Sequence, residues 1–283
     1  RTMSLRTHQP FESAEKAVNE NLDILSQKNI LETENHRILV EETDEGEILR
    51  DFAVIAELDF IVRDCPARLY AAGIVDAMAK YPEISYNIQF SNQWEKNLFS
   101  QSAQLLSENT YRLLLEHGCE TIEQLRAGKI TPALEDCVCA ALQVTGVISA
   151  MACGGKQAAV SHTLYSYFCC VHPELAAGFL HGELVGSTLV YQLAVNGAPK
   201  EAQEALNRVL RALGMPTCLE ELGLKETPEE ADRIFAFLAE RMPVETPKEL
   251  QRLRGESDVL FHGLRDSAGK LQTKRGEAHE TGI

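Results

Sequence analysis

Apolar residues return at helical intervals over most of this chain, and prolines and glycines punctuate them. From Pro66 onward the pattern is almost wholly helical, with Pro at first-turn positions and Gly at ends. The spacing predicts helices over 66–80, over about 92–117 with a stop at Gly118, and from Pro132 to about Met151 behind Thr131 as N-cap. Further helices are expected over 156–169, over 174–195 with an end at Asn196-Gly197, and over 199–213, 227–241 and 246–253. Upstream, residues 10–28 carry helical spacing at Ala14, Ala17, Leu22 and Leu25 but are short and heavily polar. Residues 37–40 and Ile48-Leu49 flank the acidic, Gly-containing stretch 43–47, which reads as a hairpin. Ala53 to Ala56 reads as a further strand or a helix entry. After Gly255 the chain turns polar and loses periodicity, so a loose tail is expected. Three segments follow: 1–52 with a helix and the hairpin, 53–254 all-helical, and 255–283 as tail.

Composition narrows the class. With 283 residues, 45% hydrophobic and 24% charged, the chain is long and apolar enough to bury a core without staples. A formal net charge of -15 repels a phosphate backbone, so nucleic acid is not an expected partner. No apolar run reaches the roughly 18 residues a bilayer span needs, and Arg1-Thr2-Met3-Ser4-Leu5 has no apolar signal core. A cytoplasmic protein with no membrane partner is therefore expected, and its opening on Arg1 suggests a fragment whose true start is missing. The eight cysteines show no CxxC spacing and read as reduced, mostly buried thiols.

Candidate chemistry lies on the helices. Asp76 shares a face with Leu69, Ala72 and Gly73, which places a carboxylate on an apolar, small-residue side. A buried carboxylate demands a metal ion, an arginine or a cap, whereas near the surface Asp76 would pair with Arg68 or Lys80; both readings stand at this point. His162 shares its face with Ala158, Ala159 and Tyr165, and His181 is embedded among Phe179, Leu180, Leu184 and Val185. Taken singly, each histidine reads as a hydrogen-bonded packing residue. With Asp76 they form a two-nitrogen, one-oxygen set that suits zinc and leaves a coordination position open. Gly178, Gly182 and Gly186 recur every four residues, so close helix packing is expected there, with room for a cofactor or substrate as the second reading. Gly154-Gly155-Lys156 reads as an anion-binding helix start or as a plain loop. His117 and His172 are assigned no role.

A family resemblance separates these readings. Cys65-Pro66-Ala67-Arg68-Leu69-Tyr70-Ala71-Ala72-Gly73-Ile74-Val75-Asp76-Ala77-Met78-Ala79-Lys80 resembles the "aPxrxxaxGxxDxxAK" segment of the glycerol dehydrogenase and glycerol-1-phosphate dehydrogenase branch of the iron- or zinc-dependent alcohol dehydrogenases. The stretch from Gly154 to His162 resembles the segment carrying that family's second metal ligand. Leu180-His181-Gly182-Glu183-Leu184-Val185-Gly186 resembles its "HGExVxxG" signature, and Leu213 to Gly223 its "lGlPxxlxeLg" turn. The related 3-dehydroquinate synthase places a Glu in an "AEvIK" context where this chain has Gly73-Ile74-Val75-Asp76, so the resemblance favours dehydrogenase over lyase.

The resemblance implies Asp76, His162 and His181 as ligands of one divalent ion, zinc or iron. It also implies the multi-helical metal-binding domain of the dehydroquinate synthase-like fold, and oxidation of a small polyol or polyol phosphate with NAD or NADP by a homo-oligomer. The family's "GGGxxxDxxK" nucleotide loop has no counterpart, the first glycine being Gly46. The expectation is therefore that the nucleotide-binding domain is largely missing, that 37–49 is a hairpin remnant of it, and that the chain alone is weak or inactive. The alternative is a catalytically dead metal-binding helical module that associates with a full-length dehydrogenase.

Overall fold

In the computed structural model of the protein, the described residues are 41–42, 48–49, 56–91, 94, 97–152, 157–242 and 247–264. The chain divides into two compact units, Arg1–Ile61 and Val62–Ile283, where the sequence reading put the boundary at 52/53. In the first unit, β1 (Glu41–Glu42) pairs antiparallel with β2 (Ile48–Leu49), Glu41 opposite Leu49 and Glu42 opposite Ile48. The two strands pair from either side of residues 43–47, which lie outside the described residues, with the first strand at 41–42. Residues 37–40 and the expected helix over 10–28 lie outside the described residues. A short helix, α1 (Leu58–Asp64), follows the apolar stretch 53–56.

The central element is α2 (Ala67–Phe90), which packs against α3 (Leu98–Arg126). Both run past their expected ends. Helix α2 continues through Pro82 although proline removes one helical bond, because Glu83, Ile84, Tyr86 and Asn87 beyond it are all buried. Gly118 is no helix stop: a Cβ there would approach Ile74 Cγ2 to 3.3 Å, so this glycine marks the close approach of α3 to α2. Helix α3 opens with a reciprocal cap between Asn97 and Ser100.

Thr131 caps α4 (Pro132–Cys139) as expected, accepting the Leu134 N–H at 3.2 Å. One π turn (Ala140–Val144) leads into α5 (Thr145–Met151), which packs along α3. Against the expectation that no segment is apolar over a bilayer's span, the continuous 132–151 helix is long and apolar enough to cross a membrane by length and composition, although its longest unbroken apolar run is only Cys137–Leu142. It carries Glu135 and Asp136 near its start and Gln143 at its middle, and it packs as a bundle helix does.

The expected helix over 174–195 is instead three pieces after α6 (Val160–Val171): α7 (Pro173–Ala176), α8 (His181–Gly186) and α9 (Leu189–Val195). The break has a local cause. Leu180 is extended, with φ -76 and ψ 155, and its N–H donates to the Glu183 carboxylate at 2.8 Å, which starts a new helix. Gly178 therefore lies in a turn and shares no helix face with Gly182 and Gly186. Then come α10 (Lys200–Ala212), a 3-10 turn (Glu220–Leu222), α11 (Pro228–Arg241), α12 (Pro247–Gly255) and α13 (Ser257–His262).

Helix α13 corrects the expected loose tail. Leu260 and Phe261 are fully buried, and the Leu260 carbonyl accepts the Leu219 N–H at 3.0 Å. Six residues are too few to show a helical period against polar neighbours, and residues 265–283 lie outside the described residues. These two side chains complete a core with Val160, Leu164, Tyr167, Phe168, Leu184, Tyr191, Ile234 and Phe235.

Candidate metal centre

Three helices bring the candidate ligands together: Asp76 on α2, His162 in the first turn of α6, and His181 as the first residue of α8. The approach of α8 to α2 depends on glycine. A Cβ on Gly182 would lie 1.9 Å from the Ala72 carbonyl oxygen, and one on Gly186 would lie 2.9 Å from Val75 Cγ1. The close-packing reading of these two glycines therefore holds. It also sets His181, the neighbour of Gly182, beside Asp76. Arg68 fixes the same turn from α2, donating to both Glu183 oxygens at 2.6 Å and to the Gly178 carbonyl at 3.3 Å. Arg68 thus serves Glu183, not Asp76. Burial disfavours charge on Glu183, but Arg68 and the Leu180 N–H outweigh it and hold its carboxyl below the ordinary value.

Asp76 faces the two histidines. Its Oδ1 lies 3.2 Å from His162 Nε2 and 3.1 Å from His181 Nε2, and the three ligand atoms fall within 4.8 Å of one another. Atoms that share a tetrahedral ion at about 2.1 Å lie roughly 3.4 Å apart, so this donor set fits zinc or a similar ion with little movement. The His181 side chain is 42% exposed and that of His162 only 17%, so the cluster is open on one side, where a catalytic ion needs a free position. Tyr165 meets the His181 ring edge-on with centroids 4.2 Å apart.

The electrostatics suit a cation. Burial opposes charge on Asp76, but hydrogen bonds from His162 and His181, with the Lys80 ammonium nearby, hold its carboxyl far below the ordinary range. Burial likewise opposes charge on His162, but the Glu83 carboxylate and the Asp76 hydrogen bond push its pKa up to about 9. A proton and a metal ion compete for the same ring nitrogen, and this environment favours either positive occupant.

The sequence reading missed Glu83. It is fully buried on α2, and its Oε2 meets His162 Nδ1 at 2.5 Å. The signal was available: Glu83 follows Asp76 by two helical turns and so shares its face. Ending the helix before Pro82 hid it. Among the other candidates, His117 pairs with Glu116 and Glu120, and His172 with Glu230, all away from the cluster. Gly154-Gly155-Lys156 lies outside the described residues. Among the described residues seven cysteines are free thiols, of which Cys169 and Cys170 are exposed where burial was expected.

Two kinships emerge from comparison with known proteins. The glycerol dehydrogenase of Escherichia coli O6:H1 is 31% identical over 204 residues, covering 70% of this chain and 54% of that protein. Among solved structures, a probable glycerol dehydrogenase from Sinorhizobium meliloti 1021 superposes with a TM-score of 0.60 at 23% identity, covering 77% of this chain and 64% of that one. The chain thus spans about half the length of the curated relatives it matches. Residues 1–63, in contrast, match the family model described as Firmicute fructose-1,6-bisphosphatase. A class 3 fructose-1,6-bisphosphatase of Parabacteroides distasonis is 38% identical over 71 residues, 25% of this chain and 9% of that protein. The hairpin strands fall within the residues that the family model matches.

Proposed function

We propose that the helical unit, by its likeness to glycerol dehydrogenases, is the metal-binding part of a polyol dehydrogenase of the iron- or zinc-dependent alcohol dehydrogenase superfamily, with Asp76, His162 and His181 as ligands of one divalent ion. The observation that carries this reading is the convergence of those three donors from α2, α6 and α8 on one open-sided point. A bound zinc or iron ion would act as a Lewis acid on a substrate hydroxyl. The side chains prepare that chemistry. Asp76 supplies negative charge at the point where a cation is wanted, and Tyr165 packs against His181 on the solvent side. Arg68 and Glu183 hold the turn that presents His181. Glycerol or a related small polyol is the proposed substrate and NAD or NADP the oxidant, in keeping with the relatives' names. Residues 1–63 are proposed to be a segment of separate origin rather than a nucleotide-binding remnant.

The test is metal analysis of the purified protein alongside its glycerol oxidation with NAD or NADP. The expected result is one zinc or iron ion per chain, lost in His162→Ala and His181→Ala, with any oxidation abolished by a chelator. Metal content unchanged in either variant overturns the ligand assignment.

A further inference from the structure

The ligand His162 rides on a helix whose start is buried, and that start is capped entirely from other helices. The first backbone N–H groups of an α-helix have no partner within it. In α6 these belong to Ala159, Val160, Ser161 and His162, and two buried side chains divide them. Glu83 Oε1, from α2, accepts the Ala159 N–H at 2.8 Å and the His162 N–H at 2.9 Å. Gln192 Oε1, from α9, accepts the Val160 N–H at 2.9 Å and the Ser161 N–H at 3.1 Å. Both side chains are fully buried. The Gln192 amide is oriented in turn, because its Nε2 donates to Asn196 Oδ1 at 2.9 Å and Asn196 Nδ2 donates to the Pro82 carbonyl at 2.7 Å.

Glu83 does one thing that Gln192 does not. Its second oxygen, Oε2, meets His162 Nδ1. As a carboxylate it can only accept, so Nδ1 carries a proton in either charge state, and the neutral ring that a metal ion requires leaves its Nε2 lone pair facing Asp76 and His181. With the backbone N–H of the same residue bound to the other oxygen, one carboxylate fixes the helix start, the ring angle and the tautomer together. A second negative charge behind the cluster also balances, with Asp76, the two positive charges of a divalent ion.

We infer that Glu83 is a positioning residue for the metal centre, selecting the Nε2-ligating tautomer of His162, while Gln192 holds the same helix start without acting on the ring. This rests on the ligand assignment above, and the experiment separates the two. Zinc affinity is measured by chelator competition on the full chain for wild type, His162→Ala, Glu83→Gln and Gln192→Met, with far-UV circular dichroism to record folding.

Glu83→Gln keeps the shape and an acceptor oxygen for the backbone, but can present an N–H to Nδ1 and so favours the wrong tautomer. The expected result is a zinc affinity about 10- to 100-fold weaker with helix content retained, while Gln192→Met lowers the melting temperature but leaves zinc affinity within a few-fold. In the zinc-loaded wild type, nitrogen NMR is expected to find the His162 proton on Nδ1. Wild-type affinity in Glu83→Gln, an equal loss in Gln192→Met, or zinc ligation through Nδ1 each overturns the role of Glu83. Absence of zinc binding in the wild type, or its persistence in His162→Ala, overturns the ligand assignment instead.

Discussion

At the scale of single residues, the centre depends on one atom that is missing. Gly182 lets α8 touch the α2 backbone at Ala72, and a methyl group there would overlap the carbonyl oxygen at 1.9 Å. Backbone cannot yield as a flexible side chain can. Gly182→Ala is therefore expected to cost at least the roughly 1–3 kcal/mol typical of overpacking, and to weaken metal binding by moving His181. A urea melt and a zinc titration check this, and a wild-type midpoint would mean that α8 is free to shift away. Repetition of glycine at 182 and 186 was legible in the sequence as a sign of close packing. Which backbone it met was not, because the partner lies far off in the chain.

Elements are joined by side chains that sequence spacing does not connect. His262, the last residue of α13, lies 2.9 Å from Glu220 on the 3-10 turn and 2.7 Å from Glu226 ahead of α11. Burial opposes its charge, but the two carboxylates outweigh that and raise its pKa above the ordinary 6.5. A raised folded-state value means that this contribution is complete below about pH 6.5 and is lost as the pH rises through the folded value. The gap in melting temperature between wild type and His262→Gln should therefore be widest near pH 6 and shrink towards pH 9. A gap that widens with pH would show that the clamp does not act through charge. Local signals were reliable where one side chain completes them, as at the N-caps Thr131 and Thr227. They failed where burial overrides them, as at Pro82 and Gly118.

Over the whole molecule, the helical core closes only with its last described helix. Phe261 is fully buried among side chains of α6, α9 and α11. Phe261→Ala is expected to destabilise by about 3–5 kcal/mol, the usual cost of emptying a buried aromatic site. Chemical denaturation measures it directly. A change within about 0.5 kcal/mol, as a surface position gives, would restore the reading of 255–283 as a tail. The molecule also carries two likenesses: residues 1–63 match a fructose-1,6-bisphosphatase family model, and a stretch of 204 residues is 31% identical to a glycerol dehydrogenase. A short hairpin looks alike in many folds, so its pattern alone could not assign it to either.

The sequence by itself determined the helical class and most helix positions and, through three short motifs, singled out Asp76, His162 and His181 as candidate metal ligands. These are local or motif-borne properties: periodicity, capping chemistry and residue type are written within a few residues of where they act. Only the tertiary structure decided that Arg68 serves Glu183, that Glu83 lies behind His162, and that Gln192 shares the start of α6 with it. Those pairings are set by the burial of polar groups that must find partners wherever the packed helices bring them, at separations that no spacing along the chain encodes.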